Sequence, residues 1–153
     1  MVIVLILTIM INLTIGISLY YFLKRRMIIF TDRFGFTSSY VSSSTSGLAI
    51  SLGLVLLFQN HIEMIGVLNI LIGIGFGWLY GSLLNSQSII AGIYHGGISG
   101  MMGTMLGAIV LDPSICGLPE SLLSGQNIIV VFALLSVCIQ GLSALLLLFS
   151  FRA

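Results

Sequence analysis

Apolar residues run along this chain in five long blocks, each ended by a short stretch where polar or charged residues gather. The blocks fall near residues 2–23, 37–58, 64–84, 89–111 and 128–150, with breaks at 24–36, 59–63, 85–88 and 112–127. A helix needs about 20 predominantly apolar residues to cross the hydrocarbon core of a bilayer. Every block reaches that length. The pattern therefore predicts an all-α, polytopic helical membrane bundle of about five transmembrane helices, forming one domain over residues 1–153.

The second block is the least regular. Ser38, Ser39, Ser42, Ser43, Ser44 and Ser46 crowd its first half, and the 12 residues from 47 to 58 are too few to cross alone. Serine hydroxyls can bond carbonyls in their own preceding turn, so a helix in lipid tolerates them. The serine run is therefore expected inside a helix that faces protein.

Composition agrees with the pattern. Of the 153 residues, 58% are hydrophobic and only 6% charged, with a mean hydropathy of +1.23. A soluble domain carries about 25% charged residues, so lipid is the expected solvent and the bilayer the first partner. A net charge of +1 supplies no concentrated basic surface, which argues against nucleic acid. Cys116 falls in a break and Cys138 in mid-span, so both are expected as free thiols, Cys138 as a small buried hydrophobe.

Charge also orients the chain. Cytoplasmic loops are enriched in Lys and Arg. Residues 1–23 hold no basic residue and Lys24-Arg25-Arg26 follow them, which suits a retained helix inserted with its N-terminus outside. With five crossings, Lys24, Arg25, Arg26, Arg33 and Arg152 then share the cytoplasmic side with the C-terminus. His61, Glu63, Asp112 and Glu120 fall outside, and Asp32 alone joins the basic group. Trp78, Tyr80 and Tyr94 lie near the cytoplasmic ends and suit an interfacial aromatic belt.

Small residues mark the helix contacts, because association in lipid depends on close backbone approach. Gly66, Asn69, Gly73, Gly77 and Gly81 form one stripe on the third span at about 100° per residue. Gly92, Gly96, Gly100, Gly103 and Gly107 form another on the fourth. A short connection at 85–88 predicts a tight antiparallel hairpin with these stripes meeting each other or a neighbour, as the packed centre of the bundle. Weaker polar stripes run through Thr8, Asn12 and Gly16 on the first span and Ser136, Gln140 and Ser143 on the fifth. Asn12, Asn69 and Gln140 are intramembrane amides that must face protein or water.

Candidate chemistry concentrates on the fourth span. His95, Met101, Met102 and Met105 combine imidazole with thioethers, ligand types that select Cu(I), so a copper site is one reading and packing the other. An outer-loop group of His61, Glu63, Asp112, Cys116 and Glu120 mixes ligand types without a metal-site spacing. Gly97-Ile98-Ser99-Gly100 resembles the nucleophile segment of rhomboid intramembrane proteases. That family draws its catalytic His from a later helix, whereas here His95 precedes Ser99 on the same span. A serine without a positioned base is a poor nucleophile. No carboxylate or amine falls within a span, which argues against a proton-coupled pump.

The small-residue run 42–53, the stripe Gly73/Gly77/Gly81 and the segment from Gly96 to Gly107 together resemble a group of small Gly- and Met-rich polytopic membrane proteins of Gram-positive bacteria. The resemblance implies an architecture and a bacterial plasma-membrane location, and no activity. The expected function is non-enzymatic: a self-associating protein, or an accessory subunit that packs on other membrane subunits through its glycine stripes. The alternative is a small transporter or channel, with a soft metal ion such as copper as a candidate cargo. An intramembrane serine protease is the remote third reading.

Overall fold

The computed structural model describes residues 2–26, 32–117 and 125–150. Five long helices follow one another: α1 (Val2–Arg26), α2 (Asp32–Leu57), α3 (Ile62–Gly81), α4 (Ser86–Leu111) and α5 (Gly125–Ser150). Short 3-10 turns, Gln59–His61 and Pro113–Cys116, follow α2 and α4. In the second turn Asp112 accepts the Ser114 amide at 3.0 Å, and Gly117 closes it at φ 66°. The serine run lies inside α2, which begins at Asp32, so the whole segment from 38 to 46 is helical.

Four helical stretches are long and apolar enough to cross a membrane: Val2–Arg25, Gly35–Leu57, Gln59–Gly81 and Gln126–Ser150. α4 has the same 26-residue length as α2 but is not among these four, its glycines, His95 and hydroxyls lowering its hydropathy. The surface supports the lipid reading in its own way. Among the described residues, 13 buried side chains are polar and 12 are hydrophobic, while Ile3, Leu71, Leu142 and Phe149 are among many large apolar groups facing out. A water-soluble protein distributes these types the other way.

The helices form two groups of three that share α2. One is α2, α3 and α4, packed very closely; the other is α1, α2 and α5, packed more loosely. The expectation that α3 and α4 form the centre is corrected here. For α2, 61% of the apolar stretch is buried inside the bundle, against 22–28% for the other three candidate spans. Lipid offers no partner to a serine hydroxyl, so the serine-rich helix goes to the middle and the more apolar helices surround it.

α3 and α4 do form a tight hairpin with their glycines facing. A methyl group added to Gly73 would run into the Gly96 carbonyl, one on Gly77 into the Gly92 carbonyl, and one on Gly81 would lie 2.6 Å from the Ser88 carbonyl. Further along, Gly100 packs on the Asn69 backbone. Gly103 and Gly107 turn instead toward α2, where added methyls would come within 2.8 Å of the Leu48 carbonyl and of Val55. Gly66 makes a lighter contact, 3.3 Å from Thr104.

Two apolar clusters close the ends. Leu5, Leu52, Leu56, Val110, Ile129 and Ala133 join the starts of α1 and α5 to the ends of α2 and α4. Leu19, Leu23 and Tyr80, backed by Phe76, Leu83 and Leu147, close the other end. The antiparallel order sorts the described charges as well: Lys24 and Arg25 lie at the second end, His61, Glu63 and Asp112 at the first.

Candidate functional site: a buried polar seam

Inward of the Leu5 cluster, and sharing Tyr80 with the other, runs a line of polar groups. It begins with serines at the α2 N-terminal end and reaches α1 and α5 in mid-bundle. Ser39, Ser42 and Ser46 recur every three or four residues, so they occupy one face of α2. Ser46 lies 3.4 Å from the Tyr80 hydroxyl on α3 and accepts from Gln140 Nε2 on α5 at 3.4 Å. Tyr80 donates to the Gly16 carbonyl on α1 at 2.8 Å. Gln140 also donates to the Asn12 carbonyl at 2.9 Å, and Asn12 Nδ2 donates to Ser136 Oγ at 3.1 Å. Beside them Ser143 reaches Thr45 at 3.4 Å. Four helices thus meet through side-chain hydrogen bonds.

Gly16 makes the junction possible. Its vacant Cβ position lies 3.4 Å from the Tyr80 hydroxyl, 3.5 Å from Ser46 and 3.6 Å from Gln140, so three polar atoms from three helices face the bare α1 backbone.

A second, smaller junction lies nearer the opposite end, inside the tight group. Asn69 Nδ2 on α3 donates to the Ser51 carbonyl on α2 at 3.2 Å and to Thr104 Oγ1 on α4 at 2.9 Å.

The three buried amides share one imbalance. In each, the NH2 group is bonded while the carbonyl oxygen has no partner among the described residues: Asn12 Oδ1, Asn69 Oδ1 and Gln140 Oε1. Exchanging O and N does not remove it. Gln140 and Asn69 each point their nitrogen at a backbone carbonyl, which only N–H can satisfy. The Ser136 hydroxyl facing Asn12 already donates to the Ala133 carbonyl at 2.7 Å. The hydroxyls of Ser39, Ser42 and Ser51 are likewise without partners. An unmatched buried polar group costs about 1–3 kcal/mol, and six such atoms, three of them amide oxygens that can only accept, lie inside the bundle among the described residues.

Other expected site residues lie elsewhere. Met101, Met102 and Met105 are exposed on the outer surface of α4. His95 is half-buried with its ring edge-on to Tyr40 at 4.2 Å and to Tyr94 at 5.2 Å. Met102 is exposed two turns further along α4, about 10 Å of rise from His95. Of the outer group, His61 and Glu63 are solvent-facing and Asp112 is engaged by Ser114; Glu120 and the Cys116 side chain lie outside the described residues. No set of three His, Cys, Asp or Glu able to hold a metal occurs among the described residues. Ser99 is buried, donates to the Gly96 carbonyl at 2.8 Å and packs against Gly47, leaving its hydroxyl engaged with its own helix. Cys138 faces outward from α5 and is not packed within the bundle.

Tyr80 is not a belt residue. It is 2% exposed, in the core, whereas Trp78 and Tyr94 are exposed at 58% and 63% as belt residues are. The signal was present: Tyr80 follows Gly73 by seven residues and so lies on the same buried stripe.

No family model matches the chain, and no curated protein or solved structure is significantly similar to it.

Proposed function

We propose that this chain is a non-enzymatic, multi-pass protein of a bacterial plasma membrane that admits a small polar solute, as a transporter or channel-forming unit. All five helices cross, with the N-terminus outside and the basic end in the cytoplasm. The observation that supports this reading is the seam of Asn12, Ser46, Tyr80 and Gln140, with amide oxygens left unmatched inside a bundle whose outer surface is apolar. Unmatched polar groups are expensive within a membrane, and a water or solute admitted between the helices would satisfy them. The ligand set is oxygen, which favours water, a hard monovalent cation or a neutral hydroxylated solute over a soft metal. In this reading the Leu5, Leu52 and Leu56 cluster is the closed gate at one end of the seam.

Glycine-driven self-association, the other expectation, loses part of its motive, because the stripes at Gly73, Gly77, Gly92 and Gly96 are filled within one chain. Gly75 and Gly141, which have no heavy atom within 4 Å of their Cβ positions, keep an interface between copies or with another subunit as the second reading.

Reconstitution into liposomes tests the first. Light scattering and ion-selective dyes should register passage of water, Na+, K+ or glycerol, reduced at least tenfold by Gln140→Leu. Vesicles impermeable to all four would remove the proposal. For the second reading, Gly75→Leu with Gly141→Leu should shift a cross-linked dimer to monomer.

A further inference from the structure

A groove of about 280 Å³ opens on the outer surface between α1 and α3. Gly16, Ile17, Tyr20 and Tyr21 form one wall, Phe76 and Leu79 the other, and Tyr80 is its floor. The wall residues on α1 recur at 16/17 and 20/21, and the next position in that series is Lys24. The exposed Lys24 ammonium lies 6.0 Å from the centre of the Tyr20 ring, so the charge stands directly over the aromatic end of the groove. Arg25 is one residue further, about 100° around the helix, and continues the groove edge formed by Ile17 and Tyr21, while the contact over the Tyr20 ring belongs to Lys24. The surface thus has an apolar slot facing hydrocarbon, phenols at its upper end, and the Lys24 ammonium over them.

From this arrangement we propose that the α1–α3 groove is a binding site for an anionic phospholipid, whose acyl chain lies along Ile17, Phe76 and Leu79 and whose phosphate meets Lys24. The volume is near the lower limit of small-molecule pockets, roughly 300 Å³, so it holds part of one chain, while the charge selects the headgroup. An aromatic wall supports this arrangement, because tyrosines are favoured at headgroup depth and a long lysine side chain reaches to the interface from just below it. Because Tyr80 is both floor of the groove and donor to Gly16 in the seam, a bound chain would press on the residue that ties α3 to α1.

The test is native mass spectrometry of the full chain released from nanodiscs of equal phosphatidylglycerol and phosphatidylcholine. One phosphatidylglycerol should be retained preferentially. Lys24→Gln should cut that preference about fivefold, the factor a lysine near an anionic surface is worth. Lys24→Arg should keep it, and Arg25→Gln, at the groove's outer edge and not over the Tyr20 ring, should cost clearly less than Lys24→Gln. Inorganic phosphate at millimolar concentration should not compete, since it has no chain to occupy the slot. Equal retention of both lipids, equal loss in the Lys24 and Arg25 variants, or displacement by inorganic phosphate would each overturn the proposal. These results are independent of solute flux, so the lipid site stands or falls separately from the transport reading.

Discussion

Gly75 and Gly77 lie two residues apart on α3 and should respond to the same substitution with opposite signs. At Gly75 the added methyl meets nothing within 4 Å. Gly75→Ala then gains only helix propensity, about 0.5–1 kcal/mol. At Gly77 the methyl would be driven into the Gly92 carbonyl group and within 2.8 Å of the Ile93 amide nitrogen, all of it backbone that cannot rotate away. Relief requires α3 and α4 to separate by roughly an ångström, and a gap of 0.5–1 Å forfeits about a quarter to a half of each atomic contact along the hairpin. Overpacking of this kind costs about 1–3 kcal/mol. With backbone on both sides the upper figure applies, and after subtracting the propensity gain Gly77→Ala should destabilise by about 2 kcal/mol. Reversible unfolding in mixed micelles of increasing SDS content would measure both variants against the parent. Equal effects, or a stabilised Gly77→Ala, would show that the hairpin is not held at backbone contact.

Other outcomes follow from the polar junctions and the outer surface. Tyr80→Phe removes one donor to Gly16 and should cost about 0.6–1 kcal/mol in the same assay, a typical value for interhelical bonds in membranes. Asn69→Leu loses two bonds across three helices, at 3.2 Å and 2.9 Å, and should cost about 1–2 kcal/mol despite freeing an unmatched oxygen. Because Met101, Met102 and Met105 face outward, replacing all three with Leu should leave Cu(I) uptake, measured by competition with bathocuproine, no different from the parent; a lost stoichiometric site would restore the copper reading. Cysteines placed at Lys24 and Asp112 in a Cys-free background should react with impermeant maleimide from opposite sides of sealed vesicles, and labelling of both from one side would refute the five-crossing topology.

The blocks of apolar residues were enough to place all five helices, and the glycine spacing to pair α3 with α4. Both depend on local periodicity, which a single chain displays directly. The choice of α2 as the central helix was harder to read. Its serine run predicts a helix that faces protein, but not that the other four helices surround it. Asn12 and Gln140 were legible as protein-facing because amides have few alternatives in lipid, but their joining to Ser46 and Tyr80 depends on which stripes mate across the bundle. Tyr80 carries two conflicting signals, an aromatic near a helix end and a member of the glycine stripe, and its burial follows the second. His95 faces Tyr40, a partner 55 positions earlier that no local pattern announces.

The burial of α2 bears on how the chain enters a membrane at all. As it leaves the ribosome, α2 follows α1 with neither α3 nor α4 yet made, and a serine-rich segment released alone into lipid would gain little by staying. It should linger beside the insertion machinery, or slip back, until the hairpin arrives to enclose it. Assembly of the bundle and commitment of its second helix to the bilayer would then be one event, so that a nascent chain halted before α4 is a natural substrate for membrane quality control.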